Sequence, residues 1–345
     1  MRQKLLYCSG RMACVSMLVI ALGMLASAQS VSYHLLKKVP LGAAPGGGEY
    51  FDYLMADSGA RRIVSHGTEV KVVDADTGAI IGAITGFKKC HGIVVPEAGA
   101  KGFVTDGDAG KVLVFNTKTL KVTGEIKTAE DTDSIIYDPA SKRVFAFNGD
   151  SHSASVIDPE SATVVKTLEM GGGPEFAVAD GKGTVFNNIE DKNEVAVIDS
   201  RALTIKERCP VAPAGGPTAL AMDREHRRLF SAGRKPQMVV MVDADTGKVL
   251  QSLPISAGVD AAVFEDETGL LFVSTRQGMV HIFHEDSPTK LSEVVTLKTE
   301  YGAKTMALDT KTHNLYLSTA EFSEPASSGR RPPTPGTFHL LIYGR

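Results

Sequence analysis

The sequence predicts an all-β protein closed into a seven-bladed propeller of four-stranded antiparallel blades. Three observations predict it: a phrase repeated at a period near forty, turn chemistry that divides each repeat into four strands, and a spare N-terminal strand where the last repeat lacks one. The phrase is an apolar run closing on Asp or Asn, a short polar turn, and a second β-rich run. It reads VVDADTGAIIGAI from Val72, VFNTKTLKVTGEI from Val114, VIDPESATVVKTL from Val156, VIDSRALTIKERC from Val197 and MVDADTGKVLQSL from Met241, with a looser copy, IFHEDSPTKLSEVVTL, from Ile282. The markers Asp74, Asn116, Asp158, Asp199, Asp243 and His284 are spaced by 42, 42, 41, 44 and 41 residues. A unit of this length buries its faces only against its neighbours.

Each repeat divides into strands a to d, from the channel outward. In the fourth, Glu175–Ala179, Gly183–Asn187, Glu194–Ile198 and Leu203–Arg208 alternate with loop-forming clusters such as Asp180-Gly181-Lys182-Gly183 and Asp191-Lys192-Asn193. First strands begin near Phe51, His91, Asp133, Glu175, Thr218, Asp260 and Lys304, giving seven blades. The last blade has no strand after Phe338–Tyr343, whereas the run Tyr33–Pro40 precedes the first blade without a partner. Pairing the two completes blade seven and removes the exposed edge of an open sheet. Residues 319–337, rich in Pro, Ser and Gly, read as a flexible loop between strands b and c of that blade.

The first 28 residues carry Arg2, Lys4 and Arg11, an apolar stretch from Met12 to Ala26, and the small-x-small site Ala26-Ser27-Ala28. This is the layout of a secretory signal peptide cleaved near Ala28/Gln29, which places a single domain, residues 29–345, in the periplasm or outside the cell. No later segment is apolar for long enough to span a bilayer. Removing three positive charges takes the formal charge from −3 to −6, and with no Trp in the chain this argues against a nucleic-acid partner. Cys8 and Cys14 leave with the signal. Cys90 and Cys209 fall two blades apart, one on an inner and one on an outer strand, so no disulfide is expected.

The repeats resemble the YVTN-repeat β-propellers, the YncE-like group of bacterial exported proteins. The Gly-x-Pro lead-in of that family stands as Gly172-Gly173-Pro174 and Gly215-Gly216-Pro217, its second strand as Phe103-Val104-Thr105-Asp106 and Leu315-Tyr316-Leu317-Ser318, and its third as Val195-Ala196-Val197-Ile198-Asp199. The resemblance covers essentially all of residues 29–345 and implies the propeller fold. It implies no single reaction, because the family hosts different roles on one scaffold. Cys90-His91 and Thr132-Asp133 depart from the Pro-x lead-in.

Aligning the blades on the first residue of the innermost strand makes Asp52, His91, Asp133, Glu175, Thr218, Asp260 and Lys304 equivalent, so these side chains ring one mouth of the channel. The ends of strand b reach the same face with His66, Asp106, Asn148, Asn188, Ala232, Ser274 and Ser318. Blades one to three thereby gather imidazoles among carboxylates, a ligand set for a divalent metal drawn from His66, His91, Asp52 and Asp106. Arg234, Arg276 and Lys304 make the opposite side of the mouth basic and suited to a carboxylate or phosphate group. Arg330 and Arg331, in the loop of blade seven, extend that basic side. The plainer alternative for the whole ring is a hydrated polar funnel.

Two Asp-Thr-Gly triplets, at Asp76 and Asp245, fall in equivalent c-to-d turns on opposite sides of the ring and supply turn geometry, not a protease dyad. The glycine runs Gly46-Gly47-Gly48 and Gly171-Gly172-Gly173 precede strands, unlike phosphate cradles, which precede a helix. The leading functional reading is a monomeric, non-catalytic binding or scaffold protein that takes a small ligand or protein partner at the funnel face. The alternative is a metal-dependent hydrolase of the lactonase type, with Asp52, His66, His91, Asp106 and Glu175 as ligands or acid/base groups.

Overall fold

Seven four-stranded antiparallel sheets follow one another around the ring, each built from strands consecutive in sequence except the last. The computed structural model describes residues 31–44, 50–57, 61–96, 99–325 and 331–345. The expected signal segment, Gly46-Gly47-Gly48 and Arg330 lie outside the described residues. The innermost strands are Phe51–Ala56, Cys90–Val94, Thr132–Asp138, Pro174–Ala179, Pro217–Asp223, Val259–Glu265 and Met306–Asp309. Helical structure among the described residues is limited to two single 3-10 turns, Gly107–Ala109 and Glu190–Lys192. No helix among them is long and apolar enough to cross a membrane.

The Asp or Asn that closes each repeat of the phrase has a definite structural task. Its side-chain oxygen accepts backbone N–H groups of the c-to-d turn: Thr77 on Asp74 at 2.7 Å, Thr119 on Asn116 at 2.9 Å, Ser161 on Asp158 at 3.1 Å, Ala202 on Asp199 at 2.8 Å and Thr246 on Asp243 at 2.9 Å. Both Asp-Thr-Gly triplets lie in this turn, with Gly78 and Gly247 at φ of 73° and 67°. Blade six departs: its third strand, Met279–Ser287, runs past His284, whose Nδ1 faces Asp286 at 2.9 Å.

Seven apolar clusters lie one at each junction between neighbouring blades. Phe103, Phe145, Phe186, Phe230 and Phe272, in the second strands, are all fully buried in these seams. Sheets packed face to face in this way remove nearly all apolar side chains of the inner strands from water. Cys90 and Cys209 are buried and free.

The ring closes through both ends of the described chain. His34–Gly42 pairs antiparallel with Phe338–Gly344, from His34 opposite Gly344 to Gly42 opposite Phe338. Val39 and Leu41 then join Phe338, Leu340 and Ile342 of blade seven and Phe51, Leu54 and Val64 of blade one in a single cluster. The stems of the Pro-rich loop are ordered against each other: Phe322 bridges to Pro333, and Ser323 N–H donates to the Pro332 carbonyl at 3.0 Å.

Phe338 is buried in this closing seam, 5.2 Å from Phe51 and 3.9 Å from the His66 ring, centroid to centroid. Phe338→Ala is expected to cost about 3–5 kcal/mol by removing a large side chain from a packed site. Urea unfolding should show a lower midpoint with an unchanged m-value; a loss below about 1 kcal/mol would contradict the seam.

Candidate funnel-mouth binding site

Six innermost strands share an irregularity where the site begins. Their a–b ladders shift register between Phe51 and Leu54, Cys90 and Ile93, Thr132 and Ile135, Pro174 and Ala177, Pro217 and Ala219, and Val259 and Ala261. Asp52, His91, Asp133, Glu175, Thr218 and Asp260 all sit inside these shifts, which re-aim a side chain out of the regular alternation. Lys304 precedes its shorter strand and reaches the same mouth. Side chains of one blade also hold the ring backbone of the next: Thr105 Oγ1 donates to the Asp133 carbonyl at 2.6 Å, Ser134 Oγ to Glu175 at 2.6 Å, Ser274 Oγ to Lys304 at 2.5 Å, and Thr305 Oγ1 to Asp52 at 2.6 Å.

The ring is an alternating chain of charge. Arg234 Nη2 lies 2.5 Å from Asp260 Oδ1, Lys304 bridges Asp260 and Asp52, and His91 Nδ1 lies 2.8 Å from Asp52 Oδ2 and 3.1 Å from Asp133 Oδ1. Tyr50 adds a hydroxyl that donates to Asp52 Oδ2 at 2.6 Å and meets His91 Nδ1 at 2.8 Å. Burial works against the charge on His91, but hydrogen bonds and charge from Asp133 and Asp52 outweigh it and raise its pKa to about 10. Burial likewise opposes ionisation of Asp52, yet Lys304, His91 and Tyr50 hold its carboxyl below the usual range. Asp133 has no lysine of its own, and burial with the Asp52 charge shifts it upward. Glu175 is raised further, first by burial and then by Asp133.

The residues expected at this face therefore divide. Asp52, His91, Asp133, Asp260, Lys304 and Arg234 join one ion-paired chain, and Asp52, His91 and Asp133 bring ligand-capable atoms within 4.8 Å of one another. Asp106 stands apart, its oxygens accepting the backbone N–H groups of Lys88 and Lys89, the latter at 2.8 Å. His66 is buried against Phe338 in the closing seam, and neither it nor Asp106 belongs to that cluster. The alignment of strand b also needs correcting in blades four to seven; in the last, Leu317 pairs with Met306 where Val64 pairs with Leu54 in the first, so Ser318 falls one residue short. Ile189, Gly233 and Thr275 pair with Pro174, Pro217 and Val259, so Asn188, Ala232 and Ser274 lie one residue short of the mouth. Asn188 instead spans to the next blade, with Nδ2 2.9 Å from the Ala219 carbonyl.

Arg276 is exposed and forms no ion pair among the described residues, while Arg234 keeps 41% of its side chain exposed and also meets Glu190 at 3.1 Å. Tyr301 extends the rim, with the Arg331 guanidinium 5.2 Å over its ring and Phe322 5.0 Å away. One step down the channel, Tyr53 of blade one and Phe176 of blade four approach to 5.2 Å. Their equivalents in the other blades are Gly92, Ser134, Ala219, Ala261 and Thr305, so these two rings make an aromatic floor beneath the charged ring. Tyr50, Glu190 and this floor are components that sequence reasoning missed. The signal for the floor was an aromatic residue at the second ring position in two blades alone.

Loss of His91 leaves Asp133 without its cation and Asp52 with Lys304 alone, so His91→Gln is expected to cost about 3–5 kcal/mol at neutral pH. Its folded pKa of about 10 lies above the ordinary value of about 6.5. The stabilisation is therefore full below about pH 6.5 and disappears as pH rises towards 10. Urea unfolding at successive pH values should show this alkaline decline in the wild type, in excess of any in the variant; equal slopes would contradict the charged imidazole.

No family model matches the chain. A stretch of 151 residues, 41% of this chain, is 26% identical to the uncharacterized protein YncE of Salmonella typhi and spans 42% of that relative's length. Among solved structures, a chain of the mitotic checkpoint complex is similar with a TM-score of 0.72 and 14% identity, over 90% of this chain and 93% of that one. A chain of the Kuenenia stuttgartiensis hydrazine synthase is similar with a TM-score of 0.68 and 15% identity, over 85% and 99%. At such identities these structural likenesses speak for the fold alone. Together with the seven blades and their repeated phrase, the match to YncE makes the chain similar to the YncE-like propellers over that stretch.

Proposed function

We propose that the chain is an exported, non-catalytic binding propeller whose funnel mouth takes a small anionic ligand. The observation that carries this reading is the imbalance at the rim. The ring acids Asp52 and Asp260 are each matched by a cation, whereas Arg276 stands exposed beside Lys304 without a carboxylate of its own among the described residues. An incoming carboxylate or phosphate would complete the alternation, with Arg276 and the exposed part of Arg234 as donors of charge-assisted hydrogen bonds. The aromatic floor of Tyr53 and Phe176 supports approach from the mouth, where a sugar or ring portion of the ligand would rest. Export rests on the signal-like layout of residues 1–28.

A metal-dependent hydrolase is the second reading, favoured by the closeness of Asp52, His91 and Asp133. Two features weigh against it. Lys304 already sits on Asp52, and the Nδ1 of His91 is shared by two carboxylates, so a cation would have to displace both the lysine and a doubly paired proton.

Calorimetric titration of the purified protein with citrate and with inorganic phosphate at low salt tests the binding reading. At least one probe should bind, and Arg276→Ala should weaken it by about tenfold, the equivalent of one charge-assisted hydrogen bond. Failure of both probes to bind, or equal affinity in the variant, would contradict the assignment. Near-stoichiometric metal that disappears in His91→Gln, together with lactone hydrolysis, would establish the hydrolase instead.

A further inference from the structure

On the face opposite the funnel, between blades five and six, a cavity of about 200 Å³ is lined by Asp223, His226, Glu285 and the neighbouring acids Asp266 and Asp286. Asp223 ends the innermost strand of blade five and begins as an ordinary turn residue. Its carboxylate accepts the backbone N–H groups of Glu225 at 2.8 Å and His226 at 3.2 Å, as Asp138 and Asp180 do in the two blades before it. What is added here comes from blade six. Its third strand overruns the usual turn, as described above, and carries Glu285 against the neighbouring blade.

Glu285 is the unexplained group. Only 3% of its side chain is exposed, and neither carboxylate oxygen has a hydrogen-bond partner among the described residues. Arg228, packed beside it, is committed to Asp243 at 2.8 Å and to the Pro288 carbonyl at 2.5 Å. His226 Nδ1 bonds Asp223 at 2.7 Å but stays 3.9 Å from Glu285 Oε1, so the two carboxylates share one imidazole and Glu285 has no hydrogen-bonded donor of its own among the described residues, a costly arrangement for a buried charge.

We propose that Asp223, His226 and Glu285 form a binding site for a first-row divalent cation, with zinc as its representative, that ties blade five to blade six. One imidazole and two carboxylates are an N/O donor set suited to such an ion. His226 Nδ1 lies 2.7 Å from Asp223 Oδ2 and 3.9 Å from Glu285 Oε1, values that bracket the separation of about 3.0–3.4 Å between ligands bound at ordinary zinc distances. All three ligand-capable atoms lie within 4.8 Å of one another. His226 is 46% exposed, so the ion has a path in from solvent. On binding, it takes the place of the proton that Nδ1 shares with Asp223, and that proton is released to solvent.

The test uses the full chain, stripped with a chelator and titrated with Zn2+ by calorimetry, alongside Glu285→Gln, His226→Gln and His284→Gln. His284 is a nearby imidazole outside the cluster and serves as the control. The wild type is expected to bind one equivalent of zinc with a rise in Tm. Affinity should fall by roughly tenfold or more in the Glu285 and His226 variants and stay unchanged in the His284 variant. Glu285→Gln relieves the facing carboxylates and His226 is partly exposed, so both variants should fold. Absence of zinc binding by the wild type, or affinity unchanged in both Glu285→Gln and His226→Gln, would overturn the proposal; the latter would mean that Glu285 merely shares a proton with Asp223.

Discussion

Burial between neighbouring blades is the interaction on which everything else in this protein depends. No blade has two covered faces of its own, so seven sheets need seven apolar seams, and a ring supplies as many seams as blades only if it closes. Closure here rests on the strand His34–Gly42 lying against Phe338–Gly344. It brings Val39 and Leu41 into the seam that also holds Phe51 and Leu54. The same seam fixes the position of Asp52, one residue from Phe51, so the geometry of the funnel mouth is tied to the pairing of the two ends of the domain.

The mouth shows how a repeated backbone can carry an unrepeated chemistry. Register shifts in six blades aim equivalent residues into one ring, and hydroxyls of adjoining blades pin the ring backbone, so the side chains alone vary. Their order around the ring, with basic groups in blades five to seven interleaved by Asp260 of blade six and acids in blades one to four apart from His91, produces a chain of ion pairs with its spare positive charge at Arg276. The charges are already paired around the ring, an arrangement that would lower the cost of binding for the ligand proposed above.

Much of the fold was legible in the sequence because its signals are chemical requirements. Asp74, Asn116, Asp158, Asp199 and Asp243 mark the period because the c-to-d turn needs a short side-chain acceptor, and His284 was a weak marker because blade six does not make that turn there. The ring positions were legible because each follows the same step into an innermost strand. The ends of strand b were not, since small polar residues such as Asn187-Asn188 and Ser231-Ala232-Gly233 offer no contrast in size or polarity to set the frame. His66 and Asp106 looked like ligands by residue type, but burial in the closing seam and capture by the Lys88 and Lys89 amides give them other work. Glu285 escaped notice because it acts through Asp223 and His226, distant in sequence, and Tyr50 because its second partner, His91, belongs to the next blade.

Hydrogen exchange resolved to the segment His34–Gly42 tests the closed ring most directly. These amides should exchange as slowly as those of the fourth strands in the other blades, since they are the outer strand of a completed sheet. Exchange of this segment at the rate of an unstructured tail, with the rest of the domain protected, would contradict closure and with it the shared axis on which the funnel mouth is built.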